Sequence, residues 1–219
     1  MMGGSVLPLV ALFGPKEAFT ALLGAGVSSV LFAEALRLSS PAINSFLLRH
    51  FGDMLKEHER TRPTSSAHFA LSSLLSFMLY PMEISILSIF FLALGDPLAA
   101  LFEEGVSAGA NFHKLSIPAP TFKMAPPHSV HFIPPAVSFR LRMQPKIERR
   151  DLWRSGGCFL ACLGLGFLLE SLLHLGLPPE ALILGAAGAA AAQLLPLDDN
   201  LTIPLLSGGL LLLGKAIAL

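Results

Sequence analysis

Apolar stretches that approach or reach the length needed to cross a lipid bilayer dominate this sequence. The hydrocarbon core of a bilayer is about 30 Å thick, and a helix crosses it with about 20 apolar residues. Hydrophobic residues make up 53% of the chain and charged residues only 14%, whereas about a quarter of the residues are charged in an average soluble domain. The pattern predicts an all-α polytopic transmembrane helical bundle with about six spans: Ala18–Leu36, His68–Tyr80, Ile84–Leu101, Gly156–Leu177, Ala181–Leu197 and Leu201–Leu219.

One segment differs in composition from the rest of the chain. Residues 103–155 are rich in Pro and basic residues and lack sustained helical or strand periodicity, which predicts a long irregular loop. A structureless connection of this length is usually functional, a linker or an inserted segment. The chain is therefore divided into N-terminal membrane helices (1–102), the irregular basic Pro-rich loop (103–155) and C-terminal membrane helices (156–219).

The basic residues predict how the bundle is oriented. All of them except Lys16 and Lys215 fall between the first and second predicted spans or between the third and fourth. Two spans separate these segments, so both lie on one face, which the positive-inside rule makes cytoplasmic. The same count places Asp96, Asp198 and Asp199 near that face. The formal net charge is zero, which gives no indication of a nucleic-acid partner.

Two acidic motifs lie at the ends of apolar runs, namely Gly95-Asp96-Pro97 and Asp198-Asp199-Asn200. A charged side chain within a membrane costs about 2.5–3.5 kcal/mol even on the lenient insertion scale, so such residues favour a functional explanation. Mg²⁺ is commonly held by one or two carboxylates together with substrate phosphates. Two structural explanations stay open: Gly95-Asp96-Pro97 as a helix break, and Asp198-Asp199-Asn200 as a helix N-cap.

Two further features predict packing and not chemistry. Cys158 and Cys162 lie on one face of an apolar span, where free Cys behaves as a small hydrophobic residue. The small residues from Gly185 to Ala192 favour close approach of neighbouring spanning helices.

The order of four motifs resembles the dolichol kinase group of CTP-dependent lipid kinases, within the phosphatidate cytidylyltransferase-like superfamily. The motifs are Glu34-x-x-Arg37-Leu38, Lys56-Glu57-His58-Glu59, Leu94-Gly95-Asp96-Pro97-Leu98-Ala99-Ala100 and Leu197-Asp198-Asp199-Asn200-Leu201-Thr202-Ile203-Pro204. The resemblance implies an integral membrane lipid kinase that uses CTP and Mg²⁺ or another divalent cation, with its active face in the cytoplasm. Its partners would be the nucleotide and a membrane lipid carrying a polyprenol, dolichol-type or diacylglycerol hydroxyl.

The resemblance also implies roles for individual residues. Metal and catalytic roles fall on Asp96, Asp198 and Asp199. Glu57 and Glu59 would be supporting catalytic groups, and Asn200 would bind the nucleotide. Beyond what the resemblance implies, we expect the cations Lys56 and Arg154 to bind the nucleotide phosphates.

The sequence departs from the family pattern at two places. Family members usually carry Lys-Ser-x-Glu-Gly-Ser before the helix that here contains Cys158, whereas this chain has only Arg154-Ser155, and a Glu that often precedes the Asp-Asp-Asn motif is Gln193. Alternative functions therefore stay open: cytidylyl transfer to phosphatidate, which makes CDP-diacylglycerol, or a catalytically inactive member of the family. Broken helices with acidic residues are also found in transporters, but the hydropathy shows no inverted repeat.

Overall fold

The computed structural model describes residues 6–12, 14–51, 57–111 and 149–218, and every structural statement below concerns these residues. Their regular secondary structure is helical, which confirms the predicted all-α bundle. The helices are α1 (Val6–Ala11), α2 (Lys16–Ser39), α3 (Pro41–Phe51), a 3₁₀ turn (Glu57–Arg60), α4 (Ser65–Leu79), α5 (Met82–Phe90), a π-helical turn (Phe91–Gly95), α6 (Asp96–Asn111), α7 (Arg149–Leu173), α8 (Pro179–Ala192) and α9 (Asp199–Ile217).

Four helical stretches of the described chain are long and apolar enough to cross a membrane, namely Lys16–Ser39, Met82–Phe102, Asp151–Leu173 and Asp199–Ile217. The other two predicted spans correspond to α4 and α8, which have 15 and 14 residues. At 1.5 Å per residue these two helices are only about 21–23 Å long, shorter than the hydrocarbon core. The chain is an integral membrane protein with four helices of spanning length and two shorter apolar helices.

The segment between α6 and α7 is shorter than the irregular loop predicted from composition. Helix α6 continues to Asn111 and helix α7 already begins at Arg149. Residues 103–111 and 149–155 are therefore helical, which corrects the predicted loop boundaries. The central part of the loop, residues 112–148, lies outside the described residues.

Helix α9 packs against α8, α4 and α5. Small residues allow the approach to α8: a Cβ at Gly188 would lie 2.9 Å from the Leu206 carbonyl oxygen, and one at Gly214 would overlap the Ala181 backbone. Glycine at such positions lets two helix backbones come together. Cys158 and Cys162 are free thiols buried in the same core. Both packing predictions are confirmed.

The alternating helix directions give the bundle two polar ends. At one end Lys215 Nζ lies 2.6 Å from Glu83 Oε1, and Lys16 Nζ donates to the Tyr80 carbonyl at 2.7 Å. At the other end α4, α7 and α9 begin and α8 ends. We call this second end the carboxylate end, because Asp198 and Asp199 lie there, and Asp96 is connected to them through Arg154.

Candidate functional site

Asp96 lies where a spanning segment changes its helical winding. The segment runs as α5, then as the π-helical turn Phe91–Gly95, and then as α6 from Asp96. A π turn adds one residue to a helical turn and is frequent at functional sites. The N–H of Asp96 donates to the carbonyl of Phe91, five residues earlier, and Pro97 has no N–H to give. The sequence offered a helix break at Gly95-Asp96-Pro97 as one explanation of this motif. The structure instead has a π-helical turn there, within a continuous helical span.

Close packing of α7 against this turn fixes the surroundings of Asp96. A Cβ at Gly95 would overlap the sulfur of Cys162, and a Cβ at Gly157 would lie 2.9 Å from Phe102 Cβ. These glycines allow the helix that carries Arg154 to approach the turn that carries Asp96.

Arg154 lies between two aspartates that come from different helices. Its Nη2 atom donates to Asp96 Oδ1 at 2.8 Å and to Asp199 Oδ2 at 3.1 Å. Asp96 Oδ1 also accepts from Nε2 of Gln193, just after α8, at 3.0 Å. The adjacent Ser155 donates to the Ala190 carbonyl at 2.9 Å, which joins α7 to α8 beside this cluster. The beginnings of α6, α7 and α9 and the end of α8 therefore meet in one polar cluster.

Asp198 has a structural role at the start of α9 and a second polar partner. Its Oδ1 atom accepts from the backbone N–H of Asn200 at 3.0 Å and from Asn200 Nδ2 at 2.9 Å, so it is the helix N-cap. This confirms the N-cap alternative for Asp198. Its Oδ2 atom lies 3.4 Å from Nδ1 of His68 on α4. Asn200 thus supports Asp198 directly.

Proline at position 204 explains how α9 is attached to α4. Pro204 lies inside α9 and has no N–H, so it cannot bond the carbonyl four residues earlier, that of Asn200. The hydroxyl of Ser72 on α4 donates to that carbonyl at 2.6 Å, and Ser72 is fully buried. The bond fixes the start of α9, with Asp198 and Asp199, beside the first turns of α4.

Glu59 belongs to a second polar cluster, one helical turn away along α4. Glu59 is buried and accepts from the backbone N–H and the hydroxyl of Ser65, the first residue of α4. Nearby, Arg37 is only 3% exposed and is paired with Glu34 at 2.7 Å. Arg37 also donates to the carbonyls of Arg60 and Arg62. These bonds hold the segment before α4 against the end of α2.

The remaining predicted residues are described only in part. Glu57 is the first residue of the 3₁₀ turn, but its side chain lies outside the described part of the structure. Lys56 lies outside the described residues altogether. The structure therefore brings Asp96, Asp199 and Arg154 together directly and places Asp198 and Asn200 at the adjoining helix start.

The cluster around Arg154 is accessible to solvent near the membrane surface. The side chains of Arg154, Asp199 and Asp96 are 36%, 26% and 14% exposed. Trp153, next to Arg154, is well exposed, and Trp side chains are enriched at membrane interfaces. Asp96 and Asp199 contact one guanidinium, and Asp198 lies at the adjoining start of α9, so carboxylates outnumber the guanidinium at this site. A site of this kind attracts cations and reaches the aqueous phase.

The residues present suit a divalent cation that is completed by ligands from a substrate. Asp96 and Asp199 each direct one oxygen toward the same Arg154 nitrogen, and Oε1 of Gln193 is buried without a hydrogen-bond partner among the described residues. Oxygen ligands of these types suit Mg²⁺, which often takes one or two carboxylates and otherwise water and phosphate oxygens. No group of three or more His, Cys, Asp and Glu side chains that could hold a metal is found in the described part of the chain. These residues therefore suit Mg²⁺ whose coordination is completed by other ligands, such as water or phosphate oxygens.

Sequence reasoning assigned no role to His68, which the structure places beside Asp198. The sequence did contain a signal for this residue, because a titratable side chain at the start of an apolar span is a functional candidate by default. Gln193 was noted only as a departure from a family pattern, yet it directly contacts Asp96.

Comparisons of the chain with protein-family models, curated proteins and solved structures gave no match.

Proposed function

We propose that this protein is a CTP-dependent lipid kinase of the dolichol kinase type, which phosphorylates the hydroxyl of a membrane-dissolved alcohol. One observation carries the proposal: Asp96 and Asp199, which are distant in sequence and lie on different membrane helices, contact the same nitrogen of Arg154. Buried or half-buried charges in membrane helices are costly, and such clusters mark functional sites. The motif resemblance supplies the reaction class, and the cluster supplies residues suited to it.

The carboxylates of Asp96 and Asp199 would hold the divalent cation, and Asn200 would support the site by orienting Asp198. The bound cation would neutralise charge on the nucleotide phosphates as the γ-phosphoryl group leaves. Little covalent chemistry is required of the protein in phosphoryl transfer, so positioning and electrostatic stabilisation account for most of the catalysis.

Arg154 would exchange partners when the nucleotide binds. In the structure its guanidinium compensates two carboxylates, and its side chain is exposed enough to move. A divalent cation at the carboxylates would replace that compensation, and Arg154 would then bind phosphate oxygens, for which guanidinium groups are well suited. Lys56 is the second candidate cation in this proposal.

His68 is the residue we assign to the proton of the lipid hydroxyl. Its Nδ1 atom lies 3.4 Å from Asp198 Oδ2, and a neighbouring carboxylate can orient an imidazole ring. The other ring nitrogen would accept the hydroxyl proton as the oxygen attacks the γ-phosphorus. Glu59 accepts from the backbone N–H of Ser65 at the start of α4, so it would help to position His68 one turn away. Glu57 is an alternative proton acceptor in this proposal.

The distribution of Lys and Arg supports a cytoplasmic location for this end of the bundle. The described basic residues Arg37, Arg49, Arg60, Arg62 and Arg154 belong to the two segments that set this orientation. Cytosolic nucleotide would then reach the site from the water, and the lipid would reach it from the bilayer.

The first experiment is lipid phosphorylation by the purified full chain in detergent, with Mg²⁺ and γ-labelled CTP and with dolichol, phytol and diacylglycerol offered in parallel. We expect label in one of these lipids. The Asp96→Asn and Asp199→Asn variants should lose transfer by a factor of about 100 or more, since each removes charge stabilisation in the transition state. The matched control is Glu180→Gln, which removes an exposed carboxylate at the opposite end and should leave transfer unchanged.

A parallel reaction with α-labelled CTP and phosphatidate distinguishes the alternatives. Transfer of α-label with release of pyrophosphate would replace the kinase proposal by cytidylyl transfer at the same site. Folded protein that transfers neither label would refute the kinase proposal. Equal transfer of γ-label by wild type and the Asp199→Asn variant would refute the metal-binding role of Asp199.

A further inference from the structure

Helix α3 has one apolar face that the rest of the described protein does not cover. Its apolar residues Ile43 and Phe46 follow the i, i+3 spacing of a single helix face, and Leu47 at the edge of that face is partly buried. Phe46 is 58% exposed and Ile43 is 39% exposed. Among the described elements α3 packs mainly against α2, and the described residues leave Ile43 and Phe46 exposed.

The position of α3 directly after a spanning helix indicates its depth in the membrane. Helix α2 is a spanning helix that ends at Ser39, and α3 begins at Pro41 after the single residue Ser40. With 11 residues α3 is about 16 Å long and cannot cross the bilayer itself. Its first residue therefore lies where the chain leaves the hydrocarbon, at the carboxylate end.

Hydrogen bonds fix the rotation of α3 about its own axis. Asn44 Oδ1 accepts from the buried Arg37 guanidinium at 3.1 Å, and Asn44 Nδ2 donates to the Arg60 carbonyl at 3.1 Å. Asn44 thus faces the loop before α4. At about 100° per residue, Phe46 is about 160° and Ile43 about 100° away from Asn44 around the helix. The apolar face is therefore held away from the protein.

The exposed charged side chains that the structure describes near α3 are arginines. Between residues 40 and 64, the charged side chains that the structure describes as exposed are Arg49, Arg60 and Arg62, whereas Glu59 is buried. The ring of His50 lies 4.4 Å from that of Phe46. Arg49 lies about 60° from Phe46 around α3, and Arg60 and Arg62 are exposed at the same end of the bundle. An exposed apolar helix face with arginines at the same end is complementary to the boundary between acyl chains and anionic headgroups.

We propose that α3 is an interfacial helix bound to anionic lipid. Ile43 and Phe46 lie at the acyl-chain boundary of the leaflet where α2 ends, and Arg49, Arg60 and Arg62 contact lipid phosphates. This inference depends on the membrane location of α2 and is independent of the proposed kinase activity.

Site-specific labelling tests the proposal in the full-length protein. Phe46→Cys and, as the matched control on another face of α3, Ser45→Cys are introduced after Cys158→Ala and Cys162→Ala remove the native thiols. Each variant is labelled with an environment-sensitive fluorophore and reconstituted in vesicles that contain lipid brominated near the headgroup end of the acyl chain. We expect quenched, blue-shifted emission at position 46 and water-like, unquenched emission at position 45. Water-like emission at both positions would overturn the proposal, and so would equal quenching at both.

The lipid charge is tested with the same labels. Vesicles of phosphatidylcholine alone are compared with vesicles that also contain phosphatidylglycerol, and we expect stronger quenching at position 46 with the anionic lipid. Removing one basic residue by Arg49→Gln should shift the ratio of inserted to water-exposed label about five-fold toward water in the anionic vesicles. Equal quenching in both lipids would overturn the assignment to anionic headgroups. Loss of quenching when a soluble protein is added would instead identify this face as a protein-binding surface and refute the lipid assignment.

Discussion

The hydrogen bond from Ser72 to the Asn200 carbonyl gives the sharpest test of how this bundle is held together. The carbonyl lacks its usual helical partner because residue 204 is proline, and the Ser72 hydroxyl replaces that partner at 2.6 Å in a fully buried position. The Ser72→Ala substitution leaves the carbonyl without a donor and removes a direct link between α4 and α9.

The expected loss of stability follows from the free energy of this hydrogen bond and from the penalty of leaving the Asn200 carbonyl without a donor. Interhelical hydrogen bonds in membrane proteins contribute about 0.6 kcal/mol on average and about 1.7 kcal/mol at most, and leaving a buried polar group unsatisfied costs about 1–3 kcal/mol. We expect Ser72→Ala to lower the free energy of unfolding by about 1–2 kcal/mol. In a Pro204→Ala background, residue 204 regains an N–H that bonds Asn200, so the same substitution should cost less than about 0.5 kcal/mol.

The measurement is a double-mutant cycle of unfolding in mixed detergent micelles, with wild type, both single variants and the double variant. The control is Ser73→Ala, because Ser73 is equally buried and its hydroxyl has no hydrogen-bond partner among the described residues. That substitution should leave stability unchanged or raise it slightly. An equal cost of Ser72→Ala in both backgrounds, or an equal cost at Ser73, would refute this account of α9.

Three further predictions concern the residues around the site. Gly95→Ala should destabilise the protein by about 1–3 kcal/mol and lower its thermal midpoint, because the added methyl group overlaps the Cys162 sulfur. Adding Cys162→Ala removes that sulfur and should restore the midpoint. A double variant as unstable as Gly95→Ala alone would refute this contact. Arg37→Met should cost about 1–3 kcal/mol in detergent unfolding, because it leaves the half-buried Glu34 without its cation, and an added Glu34→Gln should recover part of the loss. Arg154→Ala should lower the thermal midpoint measured without divalent cations. Added Mg²⁺ should raise the midpoint of this variant more than the midpoint of wild type. An equal Mg²⁺-induced increase in both proteins would argue against a cation at Asp96 and Asp199.

The positions of the six long apolar segments could be predicted closely, whereas α1, α3 and most helix ends could not. The start of the second apolar segment illustrates the reason: hydropathy places it at His68, and only the length needed to cross a bilayer favours a start near Ser65. Helix α4 does begin at Ser65, where the Thr64 side chain accepts from the Ala67 N–H. Polar capping residues contribute nothing to a hydropathy pattern, yet they decide where a helix begins. Composition likewise extended the irregular loop over residues 103–111 and 149–155, which are helical in the structure.

The candidate site was predictable as a set of aspartates but not as an arrangement. Topology from the basic residues brought Asp96, Asp198 and Asp199 to one end, since counting spans needs no side-chain geometry. It could not separate their roles: Asp198 caps α9 and faces His68, whereas Asp96 and Asp199 share Arg154. Those roles depend on helix rotation, which sequence patterns do not specify.

The sequence by itself determined that the chain is a helical membrane bundle, because the free energy of placing apolar side chains in lipid is local and additive along the chain. The tertiary structure decided which polar groups meet. Arg154 reaches Asp96 across residues that are far apart in the chain only because Gly95 and Gly157 allow close packing of α7. Likewise, the carbonyl that Pro204 leaves free finds Ser72 only because α4 packs beside α9. Contacts of this kind arise from packing between distant segments, whose complementary shapes exist only after the helices have assembled.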